Sequence, residues 1–288
     1  MKYRHAFHAG NFADVHKHIA LVALLRALQR KDKGFFFLDT HAGRGRYALA
    51  SGDARTSGES QAGIERLLAA CDRSSRQAAA PELADYLNVI EGWRRGADAR
   101  HDYPGSPLIA AQLLRPQDQG SAIESQPAEF EALRKALGRG SRIVAEHGDG
   151  YQRLRAHLPP ASRRGLVLID PPYEDTRGDF RAAATAVRDA LERFATGVIA
   201  LWYPMKDQRD TDRWLQELAH GVGRPMLAAE LWIHPPDSRA GLNGSGLAIV
   251  NPPFQFAERC DAWHAQLQEI LGGAEAGSRI VSLVAESR

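Results

Sequence analysis

The sequence predicts an α/β fold in which a mostly parallel sheet is covered by helices on both faces. Eight short runs of β-branched, aromatic and other apolar residues recur along the 288 residues, and helical patterns separate most of them. Strands that alternate with helices in this way are typical of parallel sheets buried on both faces. The predicted strands are residues 34–39, 121–125, 142–146, 165–170, 197–204, 226–233, 246–251 and 279–286.

Helical patterns fill the intervals around these strands. An amphipathic pattern over residues 13–28 precedes the first strand, and residues 180–194 and 210–220 each separate two later strands. The final two strands and the helical pattern at 260–271 indicate an antiparallel end to the sheet. Ser106 and Pro107 suit the cap and first position of a helix, so residues 107–114 are expected to form the crossover after the first strand.

One interval is too long for a simple crossover. About eighty residues separate the first strand from the second, although a βαβ connection needs only about a dozen. Helical patterns at 63–73 and 82–95 lie inside this interval. We therefore expect a main domain of residues 1–47 and 104–288, with a helical insertion of residues 48–103 at the edge where the first strand ends.

Composition narrows the class of protein. The hydrophobic content of 44%, the charged content of 25% and the net charge of +2 are ordinary for a globular protein and do not by themselves indicate nucleic-acid binding. The two cysteines, Cys71 and Cys260, are too few for a disulfide framework or a zinc cluster. Because no run approaches the ~20 apolar residues of a membrane span and no signal peptide is recognisable, we expect a cytoplasmic protein without a membrane partner.

Acidic residues and glycines follow the predicted strands, where open α/β sheets bind ligands. Asp39 precedes a turn containing Gly43 and Gly45, Glu124 ends the second strand, and Asp149 follows the third. The absence of a G-K-[ST] sequence argues against a P-loop. A nicotinamide site requires a strand-ending acid about 20 residues after the glycine turn, and that region has a helical pattern. Carboxylates around a glycine turn suit S-adenosylmethionine, which carries cationic groups and ribose hydroxyls. Taken singly, each acid could instead be a solvated loop residue or a helix cap.

The sequence Asp170-Pro-Pro-Tyr173 follows the fourth strand and suggests chemistry on an exocyclic amine. The Asp170 carboxylate and the Pro171 carbonyl can accept hydrogen bonds from the amine, and the prolines add no competing donors. Tyr173 offers a ring on which an extracted base could stack. The alternative is an ordinary Asp-Pro-Pro turn.

These segments resemble a known family. Asp-Pro-Pro-Tyr after an apolar strand is typical of adenine-N6 methyltransferases, and nearly the whole chain resembles the RlmJ type of 23S ribosomal RNA adenine-N6 methyltransferase. The resemblance implies a Rossmann-like class I fold with an inserted helical subdomain, S-adenosylmethionine as cofactor, S-adenosylhomocysteine as product and 23S ribosomal RNA as substrate. The segments that carry it are YRHAFHAGNFADVHKH, LDTHAGRGRY, YPGSPLIA, RRGLVLIDPPYE, RFATGVIALWYP and GLAIVNPP.

The resemblance also implies roles for individual residues. Asp170 is expected to be the catalytic acceptor, with Pro171 and Tyr173 beside it, and Tyr3 corresponds to a family tyrosine near the active site. Expected substrate contacts are Tyr3, Arg44, Arg46 and Tyr173. Expected cofactor contacts, including those deduced from the strand ends, are Lys17, His18, Asp39, His41, Gly43, Ser106, Glu124, Asp149, Gly150 and Asp170.

Further expectations concern partners and rival functions. We expect a monomer that acts on free or partly assembled 23S ribosomal RNA, and we expect no metal, because methyl transfer needs none. An adenine-N6 enzyme acting on DNA would share every catalytic residue, and a catalytically silent nucleic-acid-binding protein could use the same scaffold. Two basic pairs separate by position: Arg44 and Arg46 follow a strand and should reach RNA, whereas Arg163 and Arg164 precede one and should not.

Overall fold

The computed structural model describes residues 8–49, 58–71, 76–96, 101–174, 176–235, 238 and 241–285. Its centre is an eight-stranded sheet in the order β10-β8-β9-β7-β6-β1-β4-β5, and β2 and β3 form a separate small sheet. The strands are β1 (Phe36–Asp39), β2 (Arg46–Ala48), β3 (Asp102–Pro104), β4 (Gln119–Glu124), β5 (Ile143–His147), β6 (Gly165–Ile169), β7 (Val198–Met205), β8 (Met226–Trp232), β9 (Gly244–Val250) and β10 (Gly277–Val284).

Helices connect most of these strands, and one precedes the sheet. A π-helical turn, Gln61–Glu65, and a 3-10 turn, Arg76–Ala78, lie in the long interval after β2. The α-helices are α1 (Phe12–Gln29), α2 (Arg66–Ala70), α3 (Pro81–Arg94), α4 (Ser106–Leu113), α5 (Pro127–Leu137), α6 (Gly150–His157), α7 (Thr176–Arg193), α8 (Gln208–Val222) and α9 (Phe256–Leu271).

The sheet changes direction of growth at β1. The chain passes from β1 to β4 and β5 on one side, and then returns to β6 and β7 on the other side. These five strands form parallel pairs. The pairs β7–β9, β8–β9 and β8–β10 are antiparallel. The α/β fold and the antiparallel end predicted from the sequence are confirmed, and the switch point beside β1 marks the edge where such sheets bind ligands.

Both faces of the sheet are buried, as the apolar strands predict. All five residues of β6 are buried, and successive side chains point to opposite faces. Leu166 and Leu168 belong to one hydrophobic cluster, whereas Val167 and Ile169 belong to the other. Cys71 and Cys260 are buried, and no disulfide joins them. Among the described residues, no helix has both the length and the apolar character needed to cross a bilayer.

The long interval between β2 and β3 packs onto the main core. Tyr86, Leu87 and Ile90 of α3 are fully buried in the cluster that also holds the apolar face of α1. The interval begins and ends side by side, because β2 pairs with β3 in antiparallel through Tyr47 opposite Tyr103. The helical elements predicted in this interval are present, and the division of the chain at residues 48 and 103 stays a prediction.

The start of α4 differs from its predicted form. Gly105 occupies the N-cap position, and Ser106 is already the first residue of the helix. The Ser106 hydroxyl makes no capping bond and donates instead to Asp39 Oδ2 at 2.6 Å. A hydrogen bond to a buried carboxylate is stronger than one to a backbone amide, so the tertiary partner displaces the local one.

Candidate active site

A cleft of about 650 Å³ lies at the carboxyl ends of β1, β4, β5 and β6. This position at the switch point is the one expected for a ligand site. Four loops and the middle of α1 form its walls. Of the residues predicted from the sequence, those lining the cleft are Lys17, His18, His41, Gly43, Arg44, Ser106, Glu124, Asp149, Gly150, Asp170 and Pro171.

Two glycines bring the loops of the cleft together. Gly43 has a φ of +60°, and a Cβ there would lie 2.2 Å from the Tyr47 hydroxyl oxygen. A Cβ on Gly150 would lie 1.9 Å from the Thr40 carbonyl oxygen, so only glycine allows the first turn of α6 to approach the loop after β1. The resulting close packing places the ends of β1 and β5 at one site.

The carboxylate of Glu124 spans the loops after β1 and β4. Its Oε2 accepts from the Gly43 amide at 2.9 Å, and its Oε1 accepts from the Gln126 amide at 2.7 Å. Burial raises the pKa of Glu124, and the two amide bonds oppose that rise. A carboxylate can accept about four hydrogen bonds, so each oxygen can accept one more from a ligand hydroxyl.

Asp149 caps the helix that follows β5. Its Oδ1 accepts from the Gln152 amide at 2.9 Å at the start of α6, and the residue faces the cleft. Asp149 is therefore a helix cap in the structure. This role is compatible with a cofactor contact, because the cap uses only one of the two carboxylate oxygens.

Asp39 lies beneath the cleft and not on its wall. The residue is fully buried, and its Oδ1 accepts from the His41 amide at 3.2 Å while Oδ2 accepts from Ser106. Burial raises the pKa of Asp39 to about 7, although the Ser106 bond lowers it. The structure thus gives Asp39 a supporting position under the cleft wall, and the direct cofactor contact expected from the sequence stays a prediction. β1 is a central strand, and its last side chain is covered by the loop that follows.

Lys17 connects helix α1 to the catalytic loop. Its buried ammonium lies 2.8 Å from Asp14 Oδ1 and 2.5 Å from Asp170 Oδ2. Burial alone would lower the pKa of Lys17, but the charges and hydrogen bonds of the two carboxylates outweigh burial and raise it. Lys17 therefore stays charged and fixes the position of the Asp170 carboxylate.

Two histidines of the cleft are held by neighbouring hydroxyls. The ring of His18 is buried, and its Nδ1 lies 2.6 Å from the Tyr103 hydroxyl. Burial lowers the pKa of His41 to about 4. The Thr40 hydroxyl donates to the Leu168 carbonyl, so it accepts from Nδ1–H of His41 at 2.8 Å and leaves Nε2 as an acceptor.

Tyr173 has a different environment from the one predicted. Its side chain is 5% exposed, its hydroxyl donates to the Trp202 carbonyl at 2.7 Å, and its ring contacts Phe180 and Trp202. The ring is therefore covered and offers no open face to a base in this structure. Its φ of +51° belongs to the tight turn that brings the ring under the loop. Tyr173 anchors the Asp-Pro-Pro segment.

The predicted substrate arginines are paired with acids. Arg44 makes two hydrogen bonds to Glu129, and Arg46 pairs with Asp102, although both arginine side chains are about 40% exposed. Only Arg44 lines the cleft. Tyr3 lies outside the described residues.

One of the two arginines at the amino edge of the sheet, opposite the cleft, has a structural role. The Arg164 guanidinium donates to the carbonyls of Leu28 and Lys33, and it thereby ties the end of α1 to the start of β6. Arg163 is exposed at the same edge.

Two supporting residues were not identified from the sequence. Asp14 lies three residues before Lys17 on α1, so helical spacing was a signal that could have revealed the pair. Trp202 gave no such signal, because its contact with Tyr173 joins β7 to the loop after β6, far apart in the sequence. In the described part of the chain, no three His, Cys, Asp or Glu side chains are grouped to hold a metal ion.

Comparison with known proteins gives consistent matches over the whole chain. The family model described as ribosomal RNA large subunit methyltransferase D, RlmJ, matches residues 32–284. The Escherichia coli K12 protein named ribosomal RNA large subunit methyltransferase J is 40% identical over 284 residues, covering 99% of both chains. The Haemophilus influenzae protein of the same name is 39% identical over 271 residues, covering 94% of this chain and 92% of its own.

A solved structure shares the fold over nearly the whole chain. The crystal structure of a Legionella pneumophila protein superposes with a TM-score of 0.85 at 33% identity, covering 96% of this chain and 98% of that one. The matched family region contains all four loops of the cleft. The chain therefore belongs to the RlmJ family of ribosomal RNA large subunit methyltransferases.

Proposed function

We propose that the protein transfers a methyl group from S-adenosylmethionine to N6 of one adenine in 23S ribosomal RNA. The observation that carries this proposal is the Asp170 carboxylate, which Lys17 holds at the edge of a cleft that also contains Glu124 and Asp149. We further propose that a monomer performs this reaction in the cytoplasm, on free or partly assembled RNA, and that S-adenosylhomocysteine is released.

The donor and acceptor groups of the cleft fit S-adenosylmethionine. The volume of about 650 Å³ is within the range of about 300–1,000 Å³ typical of small-molecule sites. Glu124 would accept hydrogen bonds from the ribose hydroxyls, and the acidic wall formed with Asp149 and Asp170 suits the cationic groups. When bound, S-adenosylmethionine supplies an electrophilic methyl group on its sulfonium.

Asp170 would orient the adenine amine. Its Oδ2 is held by Lys17, which leaves Oδ1 to accept a hydrogen bond from the N6 amino group, with the Pro171 carbonyl as the second acceptor. These bonds would direct the nitrogen lone pair toward the methyl group, and orientation of this kind can lower a barrier substantially. The amine becomes acidic as it is alkylated, so an ionised carboxylate or water suffices to accept its proton.

Methyl transfer to purified nucleic acids tests the proposal directly. Tritiated S-adenosylmethionine should label N6 of adenine in 23S ribosomal RNA, and duplex DNA of equal adenine content should remain unlabelled. Asp170→Asn should lower the rate by about 100-fold or more, since it removes charge at the reacting nitrogen. Cofactor affinity, measured by calorimetry, should stay within about tenfold.

Glu217→Gln provides a matched control, because it makes the same change of carboxylate to amide on the exposed face of α8. Labelling of duplex DNA in place of ribosomal RNA would show that the protein is a DNA methyltransferase. A failure to label either nucleic acid, with cofactor binding retained, would favour the catalytically silent alternative. Full activity of Asp170→Asn would show that the reaction does not need the Asp170 carboxylate.

A further inference from the structure

A second cleft of about 470 Å³ lies beside the active site, at the carboxyl end of β7. Its floor consists of the buried Pro204 and Thr211 and the half-buried rings of Phe180 and Trp214. Its exposed rim carries Arg181, Lys206, Asp207, Asp210 and Arg213. We refer to these nine residues as the β7 groove.

The β7 groove is continuous with the catalytic loop. The Phe180 ring lies 4.7 Å from the ring of Tyr173 and 4.6 Å from the ring of Trp214, measured between centroids. Tyr173 closes the Asp-Pro-Pro-Tyr segment, so a series of ring contacts connects that segment to the floor of the groove. The strands that lead to them, β6 and β7, are adjacent and parallel in the sheet. Adjacent strands are about 5 Å apart, which places the groove within a few nucleotides of Asp170.

The charges on the rim leave a positive surface. The Asp207 carboxylate accepts from the Asp210 amide at the start of α8, and Asp210 pairs with Arg213 at 3.4 Å. Arg181 and Lys206 are exposed, and their side chains have no acidic partner among the described residues. Two available cations therefore flank an aromatic floor. Sites for single-stranded nucleic acid combine these features, because cations contact phosphates while aromatic rings stack on bases.

We propose that the β7 groove binds a nucleotide adjacent to the target adenine. Its base would contact Phe180 and Trp214, and its phosphates would pair with Arg181 and Lys206. This inference rests on the proposed function, since it takes RNA as the substrate. An adenine that enters the active site must leave its stack, and a neighbouring nucleotide held in the groove would stabilise the opened strand.

Charge removal at the rim tests the groove without disturbing the core. The variant Arg181→Gln/Lys206→Gln removes two exposed cations, and the control Lys33→Gln/Arg163→Gln removes one lysine and one arginine at the opposite edge of the sheet. The probe is protein-free 23S ribosomal RNA transcribed in vitro. Filter binding over a range of salt concentrations gives the slope of log affinity against log salt, and tritium transfer gives KM and kcat.

The groove variant should reduce the salt slope by about 1.4, the value for two contacts to single-stranded RNA at about 0.7 each. Its KM for RNA should rise about fivefold or more, while kcat and cofactor affinity stay within about twofold, because the active site is intact. The control should change neither slope nor KM. Equal behaviour of the two double variants would overturn the groove proposal while leaving methylation by the wild type unaffected. If the wild type does not methylate RNA, the proposed function fails, and the binding slope still decides whether the groove contacts RNA.

Cross-linking tests the aromatic floor separately. RNA containing 4-thiouridine should cross-link to peptides that contain Phe180 or Trp214, because stacking places the base against these rings. Cross-links confined to other peptides would contradict the stacking contact.

Discussion

At the scale of single residues, the active site depends on charges that neutralise one another inside the protein. Asp14, Lys17 and Asp170 form a buried sequence of ion pairs, each with little exposed side chain. Removal of one member of such a buried group leaves an uncompensated charge, which typically costs about 3–5 kcal/mol. Lys17 is therefore important to folding as well as to the position of Asp170.

Replacing Lys17 tests this dependence. Lys17→Met should lower the methyl-transfer rate by about 10–100-fold at neutral pH, because it removes the buried cation that holds the Asp170 carboxylate in place. Tritium transfer measures this rate. An unchanged rate would show that Lys17 does not position Asp170.

Asp149 offers a test of the cofactor site. Asp149→Ala should weaken S-adenosylmethionine binding by about 1.5–3 kcal/mol, the usual contribution of a hydrogen bond to a charged group. RNA affinity should not change, because the residue lies at the β5 end of the cleft, away from Asp170. Because Asp149 also caps α6, thermal unfolding of Asp149→Asn, which preserves the cap, separates the two roles. Equal loss of RNA and cofactor affinity would place this loop in the RNA site.

At the scale of elements, the cleft exists because α6 approaches the loop after β1 unusually closely. Thr40 and Gly150 are in backbone contact there, and no side chain fits between them. The same contact brings Asp149 and His41 to the lining of one cleft. The close approach of these two elements therefore helps to shape the cleft.

A single methyl group at this contact should widen the site. Gly150→Ala should destabilise the protein by about 1–3 kcal/mol, as expected when a packed contact is forced apart, and it should weaken cofactor binding. Gly273→Ala is the control, since a Cβ there meets no atom within 4 Å. Urea unfolding and calorimetry measure the two effects. Equal behaviour of both alanine variants would contradict the close approach.

At the scale of the whole molecule, buried ionisable groups make stability depend on pH. Burial lowers the pKa of His16 well below its usual value and that of His264 to about 3, whereas burial raises the pKa of Asp39 to about 7. Between pH ~4.5 and ~6 the unfolded chain binds a proton at each histidine that the folded chain does not bind. In the same window the folded chain binds a proton at Asp39 that the unfolded chain has lost.

These three groups predict a net uptake of one proton on unfolding in that window, and His41, whose pKa burial lowers to about 4, adds a second. The free energy of unfolding should therefore fall toward acid by about 2.7 kcal/mol per pH unit from these four groups. Asp39→Asn removes the opposing group, so the fall should become about 1.5 times as steep. Urea unfolding at pH 6.0, 5.5, 5.0 and 4.5 (values chosen about the ~4.5–6 window) measures both slopes. A shallower slope in the variant would contradict a protonated Asp39 in the folded protein.

The sequence by itself determined the fold and most of the residues that line the cleft. All eight predicted strands of the main sheet occur within about two residues of their expected limits. Assigned element ends commonly differ by this much. Apolar alternation and strand-ending acids are local signals, and parallel strands bring their carboxyl ends to one edge. For this reason the sequence alone predicts that Glu124, Asp149 and Asp170 lie at one site, and all three line the cleft.

Only the tertiary structure decided what each side chain contacts. Ser106 turned from its expected helix cap to Asp39, the ring of Tyr173 is buried against Phe180, and Arg44 is paired with Glu129. Each partner lies on another element. For Ser106 and Tyr173 the choice follows from burial, because a polar group removed from water takes the strongest partner within reach. Such competition depends on distances between elements, which the local sequence pattern does not contain.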